Sequence, residues 1–309
     1  MPEKNNINRL FLYHADCLDG TGAAYAAWLK FGDVRATYQP IQYGDPVPES
    51  LDSLDVYLLD FSFKRSEMLK LLDRAAMVTV IDHHKSAQKE LYGLCNEGMK
   101  GIFDMEKSGA VLAHEYFFTQ KRVPDLLYII QDRDLWNFIN PNTKYITNYL
   151  WSVRDKYKTN FYEFNRLVNN YELNPDELIV PGKVLEDFRR EQIEAIKKNA
   201  FEVKGILIVN CPHGIHSEVI GELSVGHPYA IGFYITNDKI IVNLRSDKNN
   251  PTSADVSKIA VSLGGGGHKN AAGFIIKTKP SASLFFEIQK LIEQIQWKKY
   301  YSGISIGDN

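Results

Sequence analysis

The sequence predicts an α/β protein. A doubly wound, mainly parallel sheet forms an N-terminal domain, and a helical connector leads to a smaller C-terminal α/β domain. Three observations predict this. Short apolar runs alternate with helical patterns through the first half of the chain. Acidic and imidazole residues collect at the ends of those runs, where open parallel sheets carry their ligands. A β pattern then returns after a long charged helical stretch. The 309 residues are enough for two ordinary domains. The boundaries expected are 1–180 for the first domain, 181–203 for the connector and 204–309 for the second.

The elements follow in order. RLFLYH (9–14) reads as a buried strand, the turn-prone DCLDGTG follows, and AAYAAWLKF (23–31) is an alanine-rich helix. VRATYQ (34–39), VYLLDF (56–61) and MVTVID (77–82) are three further strands, with the helical SEMLKLLDRA between the last two. Strands separated by helices imply βαβ units and hence parallel pairing. Helices dominate from Ser108, a natural N-cap for GAVLAHEYFF. Pro124 suits the first turn of PDLLYIIQDRDLW. LEDFRREQIEAIKKN (185–199) reads as a long surface helix. Beyond it, GILIVN (205–210), YAIGFYIT (229–236) and KIIVNLRS (239–246) are strands, the last two joined by a hairpin turn centred on Asn-Asp. The helix SADVSKIAVSL (253–263), a run of four glycines with His268, the strand AAGFIIK (271–277) and an amphipathic helix over 283–296 complete the chain.

Composition excludes several classes. An apolar fraction of 44% with 24% charged residues is that of a globular chain, not a disordered one. A net charge of −2 argues against long nucleic acids held by bulk positive charge, but not against a small anionic substrate. Three cysteines, Cys17, Cys95 and Cys211, make neither a disulfide framework nor a zinc motif. No apolar run is long enough to span a bilayer, and the first residues lack a signal-peptide core, so a cytoplasmic protein with no membrane partner is expected.

Five constellations could carry chemistry. His14, Asp16 and Asp19 lie in one turn after a strand, and oxygen donors mixed with imidazole suit an Mn²⁺- or Mg²⁺-like ion. Asp-Gly turns are also ordinary turn formers. Asp60 ends the third strand, where an N-cap is the plainer reading. Asp82-His83-His84 end the fourth, and a carboxylate commonly backs a ligating imidazole. Asp132-Arg133-Asp134 could be a solvated helix face. Gly264 to Gly267 with His268 lets backbone N–H groups wrap an anion, and Arg245 offers a planar fork for phosphate. A flexible hinge is the alternative for the glycines. Cys211, His213 and His216 read as a loop leading to a helix capped by Ser217, His114 as structural, and His227 as a turn. Tyr13, Tyr43, Trp136 and Phe274 lie near motifs and could stack bases, although most aromatics are core. Cys17 receives no role.

Together, HADCLDG, Asp60, Asp82-His83-His84, Asp132 and GGGGHKNAAGF resemble the DHH phosphoesterase family, in particular two-domain members with the DHH-associated C-terminal domain. The resemblance implies two divalent ions, manganese foremost with magnesium or cobalt as alternatives. His14 and Asp16 would hold one ion, Asp19, His83 and Asp132 the other, and Asp60 both. Asp132 is preferred to Asp134 because Trp136 follows it by four residues, as in the relatives' pattern. Asp82 would orient His83, and His84 would meet the scissile phosphate. Arg245, Gly265, Gly266, Gly267 and His268 would hold the substrate. The commoner first motif is His-x-Asp-x-Asp-Gly, and here one more residue separates the acids.

The activity implied is hydrolysis of phosphodiester bonds in short oligoribonucleotides, or in linear or cyclic dinucleotides, by a hydroxide bridging the two ions, as in the oligoribonuclease B type. Short RNA or DNA and nucleotides are the expected partners, and a homo-oligomer is left open. A phosphatase for 3′-phosphoadenosine 5′-phosphate or polyphosphate, and a non-catalytic nucleotide sensor, are the rival readings.

Overall fold

A computed structural model of the chain describes residues 8–236 and 239–277. The closing helix expected over 283–296, and the Asn237-Asp238 centre of the hairpin turn, lie outside the described residues. The chain divides into two compact units, Met1–Phe188 and Arg189–Asn309.

The first unit opens with β1 (Asn8–His14), α1 (Leu18–Phe31), β2 (Ala36–Ile41), β3 (Leu54–Leu59), α2 (Arg65–Arg74), β4 (Met77–Asp82), α3 (Lys85–Glu90) and β5 (Lys100–Phe103). It continues with α4 (Gly109–Phe117), α5 (Asp125–Asp134), α6 (Thr143–Tyr157) and α7 (Phe161–Leu173). The helix α8 (Asp176–Lys197) contains the division between the units. The strands form one sheet in the order β2-β1-β3-β4-β5, and every pairing is parallel.

Strand side chains alternate faces, and the alternation here separates two cores. Phe11, Tyr13, Tyr57, Leu59 and Ile81 face a core shared with α1, α4, α5, α6 and α7. Leu10, Leu12, Val56, Leu58, Val78 and Val80 face another, closed by Met68 and Leu71 of α2. Helices therefore cover both sheet faces, which is the doubly wound arrangement. Both sides being buried explains why these strands read as continuous apolar runs.

The helix α1 starts at Leu18, five positions before the start expected, because Asp19 and Gly20 lie in its first turn rather than in a loop. Gly20 is required there, since a Cβ would sit 2.2 Å from the His14 carbonyl oxygen. Ser108 does cap α4, its Oγ accepting the Val111 N–H. The long helix α8 starts at Asp176 and takes Pro181 inside it. Gly182 brings α8 against α6, because a Cβ there would meet the Tyr145 carbonyl oxygen at 2.0 Å.

The second unit contains β6 (Phe201–Val203), β7 (Ile206–Asn210), α9 (His216–Leu223), β8 (Ala230–Ile235), β9 (Lys239–Arg245), α10 (Val256–Ser262), β10 (Gly266–Gly267) and β11 (Ala271–Lys277). They form a mixed sheet in the order β10-β11-β9-β8-β7-β6, in which only β7 and β8 pair in parallel. One face packs on Val256, Ile259 and Ala260 of α10, the other on Val219, Ile220 and Leu223 of α9. Among the described residues, no helix is long and apolar enough to cross a membrane.

Candidate metal centre

Strand order places the site. β1 lies between β2 and β3, so the sheet reverses its winding direction at β1, and such a switch opens a crevice beyond the carboxyl ends of the strands. His14 ends β1, Asp60 follows β3, and Asp82 ends β4. Asp60 has a φ of 53°, unusual for a non-glycine residue and worth about 1–3 kcal/mol of strain. Its N–H donates to the Ile81 carbonyl at 2.9 Å, which holds that geometry. Gly109 lies so close that a Cβ would meet Asp60 Cβ at 2.5 Å.

The carboxylates meet at His83. Its Nε2 lies 3.1 Å from Asp60 Oδ1, 3.5 Å from Asp19 Oδ2 and 3.5 Å from Asp134 Oδ2. Asp60 Oδ2 lies 3.4 Å from His14 Nδ1. Asp19, Asp60 and His83 are each only 1% exposed. Asp19 also accepts the Gly109 and Ala110 N–H groups, at 2.6 and 2.9 Å, and so caps α4.

Burial of like charges splits the protonation equilibria. Burial first, then the charges of Asp60 and Asp134, push Asp19 well above the usual carboxylate range. Asp134 is raised by burial as well. Burial also acts on Asp60, but His14 and His83 outweigh it and hold that carboxyl far below the usual range. Burial would lower His83, yet its bond to Asp60 and the Asp134 charge raise it well above the usual value.

Asp82 works one residue further along than expected. Its Oδ1 accepts the backbone N–H groups of His83 and His84, at 2.7 and 3.1 Å, and meets the His84 ring Nδ1 at 2.7 Å. It therefore orients the His84 ring, not that of His83, because alternate side chains in an extended segment share a face. The Asp82 charge raises His84 despite burial. Tyr43, after β2, sets its ring 5.4 Å from His14 and 6.2 Å from His84.

Two expected ligands lie elsewhere. Asp132 accepts the N–H groups of Ile139 (2.8 Å) and Asn140 (3.1 Å) and the hydroxyl of Thr143 (2.5 Å). It shapes the turn into α6, and Asp134 is the acid that reaches His83. Residues two apart on a helix point in nearly opposite directions, so α5 could offer only one of the pair. Asp16 is exposed with a φ of 50°, and it is in none of the groups of ligand-type atoms that lie together among the described residues. Cys17 lies beside the cluster: its sulfur, a His14 nitrogen and an Asp60 oxygen lie within 4.8 Å of one another. Burial, then Asp60, Asp134 and Asp19, push the Cys17 thiol well up. Counting back from Gly20 would have found it, since the commoner motif places its first acid three residues before the glycine.

In the second unit the glycine run forms a hairpin. Gly266 and Gly267 pair with Gly273 and Ala272, and the His268 N–H donates to the Ala271 carbonyl at 2.7 Å. A Cβ at Gly265 would sit 2.0 Å from the Gly273 oxygen, and one at Gly267, where φ is 134°, 2.5 Å from the Ala271 oxygen. Close strand packing therefore accounts for these two glycines. Arg245 lies opposite Ala271 in the register and donates to Ser217 Oγ at 2.9 Å. His216 is next to that serine, and burial, then the Arg245 charge, push it down to about 3. Cys211 and His114 are buried, and Cys211 belongs to the α9 core.

The first-unit donors suit divalent cations. They are carboxylate oxygens and imidazole nitrogens, with the sulfur of Cys17 beside them, and Asp60 Oδ2 and Asp82 Oδ2 are buried without a hydrogen bond. A cation resolves the clustering of buried carboxylates that burial alone disfavours.

No family model matches the chain. The uncharacterized protein R106 of Acanthamoeba polyphaga mimivirus is 31% identical over 310 residues, covering 88% of this chain and 69% of that one. Among solved structures, RecJ from Thermus thermophilus with Mn²⁺ is similar at a TM-score of 0.53 and 17% identity, over 94% of this chain and 52% of RecJ. Another exonuclease RecJ, bound to manganese, gives 0.50 and 17% over 93% and 89% of the two chains. The pGpG-specific phosphodiesterase PggH of Vibrio cholerae gives 0.50 and 14% over 94% and 99%. These likenesses show the fold, a two-domain α/β architecture.

Proposed function

The chain belongs to one family with the mimivirus protein R106, and from its fold and site we propose that it is a metal-dependent phosphoesterase cleaving phosphodiester bonds in short nucleotide substrates. The observation that carries this reading is the meeting of Asp19, Asp60 and Asp134 at the buried Nε2 of His83. Three carboxylates gathered at one imidazole, two of them buried with it, support a cation site over a stabilising network.

The roles follow from the geometry. His14 and Asp60 would hold one ion and Asp19, His83 and Asp134 a second, with one Asp60 oxygen near His14 and the other near His83. Bound divalent ions supply a water of lowered pKa and neutralise charge on phosphoryl oxygens, and manganese is the ion we propose. Asp82 fixes the His84 ring by its Nδ1, and its charge raises the His84 imidazolium above the usual range despite burial. The far side of that ring then donates to a phosphoryl oxygen and stabilises the developing charge. Arg245 and the Gly265–His268 hairpin are the proposed contacts for the rest of the substrate. A net charge of −2 provides no long basic track, which supports dinucleotides and short oligoribonucleotides over polymers.

The test is turnover by the full chain with Mn²⁺, and with EDTA as control. The substrates are a 5′-phosphorylated RNA dinucleotide and pentamer, pGpG, a cyclic dinucleotide, adenosine 3′,5′-bisphosphate and polyphosphate. Release of mononucleotides from the linear RNAs, abolished by EDTA, is expected. Turnover of the bisphosphate or polyphosphate alone would overturn the substrate class, and no turnover of anything would overturn the enzyme.

A further inference from the structure

We propose that Cys17 is a sulfur ligand of the ion held by His14 and Asp60, so that this half of the centre is a mixed nitrogen, sulfur and oxygen site. The inference rests on the divalent-metal reading of the same cluster and deepens it. Three independent features carry it. The sulfur, a His14 nitrogen and an Asp60 oxygen are mutually within 4.8 Å, which is the spread of ligand atoms around one cation. Asp60, only 1% exposed, aims an oxygen into this space that accepts no hydrogen bond. The remaining acid in reach by sequence, Asp16, is exposed and joins none of the ligand-type groups among the described residues.

The local fold fixes the sulfur's position. Gly20 is locked against the His14 carbonyl, so the end of β1 and the first turn of α1 are in fixed register. Cys17 is the extended residue between them, and its carbonyl accepts both the N–H and the hydroxyl of Thr21. Binding a cation displaces the thiol proton to solvent and forms the metal–sulfur bond, with no change of oxidation state.

A thiolate in this position changes which ions the centre prefers. Magnesium takes oxygen donors, whereas cobalt, zinc and cadmium accept sulfur readily. The first ion should therefore be softer than a site of carboxylates and imidazole alone would choose.

The experiment is Co²⁺ titration of the full chain, followed by absorption. Visible d–d bands report binding, and a near-ultraviolet band reports sulfur-to-cobalt charge transfer. Wild-type protein is expected to show both. C17S and C17D should lose the charge-transfer band, C17D keeping the d–d bands, while D16A and C95S keep both. Circular dichroism checks that each variant is folded. In competition, C17D should lose Cd²⁺ preference over Mn²⁺ by about tenfold or more. Cobalt bound by wild type without the charge-transfer band, or a band surviving C17D, overturns the sulfur ligand and leaves the metal centre standing. No cobalt binding at all, with H14A and D60N behaving like wild type, overturns both.

Discussion

Two regions have equally functional sequences, the strand ends of the first unit and the glycine hairpin of the other, and the structure separates them. At the strand ends, acids and imidazoles are buried against one another with two non-glycine residues, Asp16 and Asp60, in left-handed backbone. No packing requirement explains that concentration of charge. In the hairpin, Gly265 and Gly267 are explained by backbones that would collide with any Cβ. The difference teaches that buried, mutually repelling groups point to a ligand more strongly than a glycine run does. Charge burial is costly without a partner, whereas glycine often serves packing alone.

The sharpest way to break this comparison is D60N, which removes the charge that both halves of the centre share. Turnover should fall by more than about a hundredfold, and Mn²⁺ binding measured by equilibrium dialysis should weaken with it. Retained binding and turnover would make the cluster a structural network. The pair D132A and D134A sharpens it further. D132A strands two N–H groups and a hydroxyl, and should cost about 3 kcal/mol in urea unfolding. D134A removes a carboxyl whose charge is disfavoured by burial, so the metal-free fold should be no less stable while Mn²⁺ affinity drops. The reverse pattern would return the ligand role to Asp132.

The pair also shows what the sequence could not reveal. Strand ends were legible because apolar runs end abruptly in acids and histidines, and burial on both faces makes such runs continuous. The phase of α5 was not, since Asp132 and Asp134 stand in equally plausible positions until the helix is packed. The left-handed backbone at Asp16 was not legible either, because aspartate adopts it only where the surrounding fold requires it. β5 and α3 lie in KSAQKELYGLCNEGMKGIF, where neither alternation nor helical period is strong. The glycine run was legible as special but not as packing, because its collisions are with residues of strands brought together only by the fold.

Acidity should act on the two regions with opposite signs. The folded value of His83 is raised, so its contribution is full below the ordinary histidine range of about 6.5 and is lost as pH rises through the folded value. Asp19 and Asp134 are raised too, so each costs stability in the same direction as pH rises from the ordinary carboxylate range, about 3.9, through its folded value. His216 is pushed down to about 3, so it stays neutral when folded, and its region loses stability as pH falls from about 6.5 toward that value. Hydrogen exchange read by segment in EDTA should therefore show β4 protection decreasing from pH 6 to pH 8.5. Protection of α9 should instead decrease from pH 6 to pH 4, and H216Q should flatten that acid limb. Mn²⁺ should reverse the β4 trend, because protons and cations compete for the same groups. Parallel trends in both segments would remove the contrast.

The smallest expected effect separates packing from anion binding in the hairpin itself. Gly264 and Gly265 are neighbours with different needs. At Gly264, φ is 82° and a Cβ would meet nothing within 4 Å, so G264A carries only the cost of a left-handed backbone, about 1 kcal/mol. At Gly265 a Cβ would lie 2.0 Å from the Gly273 oxygen and 2.6 Å from Phe274 Cβ, so β10 or β11 must move. G265A should therefore cost about 2–3 kcal/mol, seen as lower protection of β11, with G264A close to wild type. If the run served chiefly to wrap a phosphate, both alanines would obstruct the approaching anion. Both would then raise KM alike and leave β11 protection unchanged. A stability difference between adjacent alanines is what strand packing requires, and a shared KM defect without one would move the hairpin to the same footing as the strand-end cluster.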